Sequence, residues 1–143
     1  MRISTKGRYS LEALLYMALL PSGEYSSTRT IAENTGISDG YLEQLFIPLR
    51  KTGIIRGIRG PQGGYTLGGH PDTITVGKIL RTVEGSIEPV ECVHSKVCPA
   101  QADCISRHTW SELYKEITKC VDSITLKDLV EAYYALDKLE YAI

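Results

Sequence analysis

The chain alternates between stretches with a helical period and short extended runs. From Thr5 to Leu20 the apolar residues Leu11, Leu14, Leu15 and Ala18 recur at i, i+3, i+4 and i+7, one face of a helix, and Pro21-Ser22-Gly23 ends it. SSTRTIAENTG reads as a short helix, with Ser27 or Thr28 near its cap, Ile31 and Ala32 turned inward and Gly36 as a left-handed stop. In ISDGYLEQLFIPLRKTG, Ser38 is the expected N-cap and Ile37 is placed to touch Leu42 as a hydrophobic staple. Leu42, Leu45, Phe46 and Leu49 form the inner face, Pro48 should bend the helix, and Gly53 closes it.

Two short helices joined around a glycine make a helix-turn-helix pattern. Ile54 to Arg59 and Gly64 to Leu67 follow as extended runs around a Gly/Pro turn, so a two-stranded wing is expected. A helix restarts near Thr75, carries Ile79, Leu80 and Val83, and ends at Gly85. From about Ile87 to Asp103 there is no periodicity. Trp110, Leu113, Tyr114, Ile117 and Val121 then repeat as a helical face, with Cys120 read as a small core residue beside them. A last helix is capped by Thr125 with Asp128 three places on, and carries Leu126, Leu129, Val130 and Tyr133 in a stripe. The expected fold class is mainly α, a winged helix-turn-helix with a long C-terminal helix.

Composition changes this picture in two places. The 143 residues carry a net charge of −1, which argues against a nucleic-acid partner until it is divided along the chain. Residues 1–70 hold eight Lys/Arg against five Asp/Glu, and residues 71–143 hold eight against twelve, so an anionic partner belongs on the N-terminal half. There Ser38, Gly40, Tyr41, Glu43, Gln44 and Arg50 occupy the outer face of the second helix of the motif. Gln44 suits adenine and Glu43 suits the cytosine amino group in a major groove. Arg59, at the tip of the wing, suits a narrow minor groove. Arg2, Lys6, Arg8, Arg29 and Arg56 are the candidate phosphate contacts, and the Tyr9 and Tyr41 hydroxyls either join them or pack. No run of eighteen apolar residues occurs, and a cytoplasmic chain with reduced thiols, no membrane span and no small-molecule substrate is expected.

The second change is ECVHSKVCPAQADCISRH, where Cys92, Cys98 and Cys104 have five residues between each pair and His108 stands four places after the last. Three soft thiolates this close can hold one face of an iron–sulfur cluster or three corners of a zinc tetrahedron. Structural zinc sites bring ligands in pairs two to four residues apart, and five-residue gaps suit a looser wrap. Zinc, a disulfide and unliganded thiols stay open on spacing alone. An enzyme or ferredoxin-like carrier is disfavoured, because there are three clustered cysteines, no CxxC and no acid/base pair.

MRISTKGRYSLEALL, the string from Gly36 to Leu67 and the spaced cysteines together resemble the IscR-type regulators of iron–sulfur cluster biogenesis, relatives of NsrR and CymR. The resemblance implies a homodimeric repressor or dual regulator bound to double-stranded operator DNA. It would hold an iron–sulfur cluster, two-iron in the first instance and four-iron in the second, and sense cluster status, iron, oxidants or nitric oxide. It divides the chain into a DNA-binding domain at 1–85, a cluster loop at 86–104 and dimerisation helices at 105–143. It also implies that the acidic residue at Glu43 helps choose among operator types. A cluster-free zinc- or thiol-dependent regulator of cysteine or sulfur metabolism is the alternative within the same superfamily.

The family's fourth ligand is a histidine three places after the last cysteine, and Arg107 stands at that place. His108 is the substitute, on Cys104's helix face if a helix begins at Cys104. Glu91, His94 and Asp103 are further donors. In NsrR-like members an acidic residue near the partner's N-terminus ligates; Arg8 holds that place here, with Glu12 one turn on.

Overall fold

The computed structural model describes residues 1–93 and 104–142. Among the described residues there are six α-helices and one two-stranded sheet: α1 (Thr5–Leu19), α2 (Thr28–Thr35), α3 (Asp39–Lys51), β1 (Ile55–Ile58), β2 (Gly64–Leu67), α4 (Val76–Glu84), α5 (Arg107–Ser123) and α6 (Leu126–Ala142). Short 3-10 turns lie at Pro71–Thr73 and Glu91–Val93.

Local chemistry sets most of the boundaries. Ser27, Ser38 and Thr75 each present a side-chain oxygen that accepts from a backbone N–H in the first turn of α2, α3 and α4. Gly36 ends α2 at φ 76°, in the left-handed region that a residue with a Cβ enters at a cost. At α6, Asp128 N–H donates to Thr125 Oγ1 at 3.2 Å and Thr125 N–H donates to Asp128 Oδ2 at 2.9 Å, a reciprocal box. Pro48 does not end α3, which runs on to Lys51. The backbone bond it removes falls in the last turn, where Thr52 donates to the Pro48 carbonyl at 3.1 Å through both its N–H and its hydroxyl.

The main core gathers Ala13, Leu14 and Met17 of α1, Ile31 of α2, Leu42, Leu45, Phe46 and Leu49 of α3, and Ile54, Ile55, Ile74, Ile79 and Leu126. The buried side of α1 is Gly7, Ser10, Ala13, Leu14 and Met17, while Leu11, Leu15 and Ala18 are half-buried. The expected stripe is therefore turned toward the Gly7–Met17 side, because α1 is enclosed by α2, α4 and α6 together. A second, smaller core joins Val76, Leu80 and Ile87 to half-buried Tyr114, Ile117 and Val121 of α5.

The sheet is antiparallel, with Ile55 opposite Leu67 and Arg56 opposite Thr66. Ser26 extends it, exchanging backbone bonds with Tyr65 at 2.9 and 2.8 Å, so the wing is tied to the entry of α2. Tyr65 also stacks edge-on against Phe46 of α3, centroids 4.8 Å apart. Val76 N–H donates to the Ile124 carbonyl at 2.8 Å and Leu126 N–H to the Ile74 carbonyl at 2.9 Å, which fixes the start of α6 to the entry of α4. No residue of α5 is fully buried, and Cys120, expected in the core, is exposed. Tyr133, expected in the inner stripe of α6, is exposed as well.

Candidate functional site

The helix-turn-helix is built from α2, the turn at Gly36 and α3. Ser38 is exposed, but its hydroxyl accepts from Tyr41 N–H at 3.3 Å, so its first role is to start the helix. Tyr41 is half-buried: its hydroxyl lies 3.0 Å from Thr5 Oγ1 and its ring meets Tyr9 edge-on at 5.6 Å. Of the two roles open to these tyrosines, the structure shows packing, which seats α3 against the N-terminal turn of α1. Gly40, Glu43, Gln44 and Arg50 are exposed. Ile47, which sequence reasoning passed over, is 48% exposed on the turn after Glu43 and Gln44. Its signal was the i+3/i+4 spacing from those two, and an apolar side chain there suits a thymine methyl group.

Arg56 lies in β1, and Arg59 lies beyond β1 in the turn between the strands; both are exposed. Arg2, Lys6 and Arg8 are exposed around the start of α1. Arg29 is exposed and paired with Glu33 at 3.3 Å, a solvated i,i+4 pair that phosphate can replace at small cost.

The start of α1 is held from below by Glu84, the last residue of α4. Its Oε1 accepts from Ser4 N–H at 2.8 Å, Ser4 hydroxyl at 2.6 Å and Gly7 N–H at 2.8 Å. A carboxylate thus caps the positive end of the α1 dipole. Burial alone would raise the Glu84 carboxyl, but the bonds from Ser4 and Gly7 and the nearby Lys6 outweigh it and hold it below the ordinary range. Gly7 allows the approach: a Cβ there would lie 2.9 Å from Glu84 Oε1 and 3.0 Å from Leu80 Cδ2. Neither residue was singled out from sequence, since a long-range carboxylate cap leaves no periodic trace. Arg81 of α4 makes a two-pronged bond to Asp122 of α5, at 2.7 and 3.0 Å. That hydrogen bond raises the Arg81 guanidinium and lowers the Asp122 carboxyl.

In the sequence the cysteine segment lies between α4 and α5. Cys92 lies in the 3-10 turn and Cys104 just before α5, both half-buried free thiols; Cys98, with His94 and Asp103, lies outside the described residues. Ser106 Oγ stands 3.4 Å from Cys104 Sγ. That contact lowers the thiol's pKa against the opposing effect of burial, helped by the N–H groups of Arg107 and Ser106 and the Arg107 charge. His108 is exposed in the first turn of α5. That helix begins at Arg107, so the shared helix face invoked for Cys104 and His108 is not formed; Arg107 N–H closes a turn onto the Cys104 carbonyl at 3.3 Å instead. Glu91 is exposed, and among the described residues no three of His, Cys, Asp and Glu converge.

A family profile described as an iron-dependent transcriptional regulator, Rrf2, matches residues 3–132. The chain belongs to the Rrf2 family. The regulator CymR of Bacillus subtilis is 42% identical over 129 residues, covering 90% of this chain and 89% of that protein. The regulator IscR of Aliivibrio salmonicida is 38% identical over 130 residues, covering 91% and 77%. The solved structure titled as that of CymR, the global cysteine regulator of B. subtilis, superposes with a TM-score of 0.77 over 92% of this chain and 98% of that one, at 39% identity. T. potens IscR superposes with a TM-score of 0.74 at 35% identity, covering 93% and 88%. This Rrf2 chain is accordingly a winged-helix transcriptional regulator that binds DNA, and not an enzyme. Among the described residues no helix is long and apolar enough to cross a membrane.

Proposed function

We propose that this Rrf2 protein is a cytoplasmic homodimeric repressor or dual regulator of iron–sulfur cluster biogenesis genes, whose operator choice follows the occupancy of an iron–sulfur cluster. Cys92, Cys98 and Cys104 would hold the cluster, with His108 as the fourth ligand and the two-iron form favoured over the four-iron form. The carrying observation is that Cys92, in the 3-10 turn, and Cys104, just before α5, stand as free, half-buried thiols at the two ends of the cysteine segment, because an iron–sulfur site requires several thiols on one stretch of chain. When bound, the group supplies a centre sensitive to oxidants and nitric oxide.

The protein's own residues carry the rest. Cys92 lies a few residues past Glu84, whose carboxylate holds the N-terminal turn of α1, and that turn holds Tyr41 of α3. Cluster binding at Cys92 would therefore bear on the reading helix through the chain back to Glu84 and then two contacts, Glu84 with the start of α1 and Thr5 with Tyr41, a short path for a change in population. The exposed residues of α3 would read base edges, Arg59 the minor groove, and the N-terminal cations the phosphates.

Anaerobic purification should give a coloured protein with iron and sulfide in near-equal amounts. The colour should vanish when Cys92, Cys98 and Cys104 are replaced by serine, and His108→Ala should shift the visible bands. A colourless anaerobic sample excludes this reading. The similarity to CymR favours a second one, a zinc- or thiol-dependent regulator of cysteine metabolism. Stoichiometric zinc, or operator release on oxidation of a metal-free sample, would establish it.

A further inference from the structure

A cavity of about 440 Å³ opens where the winged head meets α6, between the C-terminal end of α1, the base of the wing and the first turns of α6. Its floor is apolar, formed by buried Met17 with half-buried Leu67 and Val130. Its rim carries Arg56 from β1, Lys127 from α6 and His70 from the turn after β2. The side chains of Arg56 and Lys127 make no hydrogen bond or ion pair among the described residues, and His70 Nδ1–H donates to Asp72 Oδ1 at 2.6 Å. Among the described residues that line it there is no Asp or Glu.

We propose that this cavity binds a small organic anion, a carboxylate or phosphate head on a compact apolar body, and that the ligand adjusts DNA binding. Each part follows from the lining. Two unpaired cations beside an imidazole attract negative charge, and an apolar floor rewards a hydrocarbon body over an inorganic ion. The volume lies at the lower end of the range for ligand sites, which suits a compact molecule and not a dinucleotide. With no carboxylate in the lining, an ammonium group on the ligand would lose its water without gaining a partner, which selects against free amino acids.

The effect on DNA rests on the regulator reading above; binding itself does not. Arg56 is a candidate phosphate contact, so ligand and DNA compete for one guanidinium. Val130 and Lys127 sit on α6, so the ligand also bridges the reading head and the C-terminal helix. By linkage, whatever the ligand subtracts from DNA affinity, DNA subtracts from ligand affinity.

The test is calorimetric titration of the full chain, without DNA, using 4-methylpentanoate, 3-methylbutyl phosphate, leucine and the neutral 4-methylpentanamide. Saturable binding of either anion, with leucine and the amide at least about tenfold weaker, is expected; the tighter anion identifies the head group. Lys127→Glu should weaken the anion about tenfold or more. That substitution puts an acid in the first turn of a helix, where it suits the dipole and leaves folding intact. Val130→Trp should fill the cavity and abolish binding. Absence of binding by both anions, equal binding of the amide or leucine, or affinity unmoved by both substitutions overturns the site. Because these titrations contain no DNA, they stand even if the regulator reading fails. In a second titration the tighter anion should weaken binding to a duplex several-fold. Intact ligand binding with unchanged DNA affinity would overturn the regulatory half of the proposal.

Discussion

At the scale of single residues, the proposed reading surface separates groups that position from groups that can discriminate. Ser38 and Tyr41 are engaged within the protein, Ser38 as a cap and Tyr41 with Thr5 and Tyr9, whereas Gln44, Ile47 and Arg59 are exposed. Gln44→Ala should cost about 1–3 kcal/mol at one operator base pair and leave random duplex nearly unaffected, because an amide that pairs with adenine acts only at its own base. Ile47→Ala should act at a neighbouring thymine, more weakly, through lost apolar contact. Fluorescence anisotropy on the operator and on single-base variants measures both; a loss of equal size on random duplex would show that neither residue reads sequence. Arg59→Ala should likewise weaken specific binding by about 1–3 kcal/mol with unfolding unchanged. Equal loss on random duplex would reduce Arg59 to neutralising phosphate.

At the scale of elements, the joint between α1 and α4 bears on stability and, in the proposed function, also on signalling. Glu84 lies below its ordinary pKa in the folded protein, so its contribution is fully present above the unfolded value of about 4.3 and is lost as pH falls through the folded one. Glu84→Gln should therefore destabilise by about 1–3 kcal/mol at neutral pH. The gap from the parent should narrow as denaturation is repeated from pH 6 down to pH 3.5, and a gap constant over that range would mean that the charge is irrelevant. Gly7→Ala should destabilise by a similar 1–3 kcal/mol, because its Cβ meets Glu84 Oε1 and Ile3 at 2.9 Å and one of them must move. Thermal unfolding of both single variants and the double should give less than additive losses, since they damage one contact. This joint was invisible in sequence for the reason that the caps were visible. The Thr125–Asp128 box and the Ser38 cap are written within four residues of chain, whereas Ser4 and Glu84 are 80 residues apart. The same distinction explains α1, whose most buried side was set by three packing partners and not by its own period, and Cys104 with His108, whose helix starts at Arg107.

At the scale of the whole molecule, the C-terminal helices carry the exposed apolar surface on which the proposed homodimer would rest. Leu126 is fully buried in the main core and α6 packs along α1, yet Tyr133, Tyr134, Leu136 and Leu139 farther along α6 are exposed, as is Leu113 of α5. An apolar surface of that extent on a small regulator marks an interaction site, and a second copy would cover it with the same residues across a twofold axis. Two reading heads also suit an operator with two half-sites, since the protein's symmetry then matches that of the DNA. Leu136 and Leu139 are 64% and 60% exposed, so glutamate at either is tolerated in a lone chain, while a twofold interface would have to bury each new charge twice. Leu136→Glu with Leu139→Glu should therefore raise the dimer dissociation constant by at least about a hundredfold while leaving the helical content unchanged. Operator affinity should fall with it, because each head then binds its half-site alone. Sedimentation velocity and circular dichroism on the same sample decide the matter: a double variant that remains dimeric, and still binds operator at full strength, would place the interface elsewhere and leave the exposed face of α6 for a different partner.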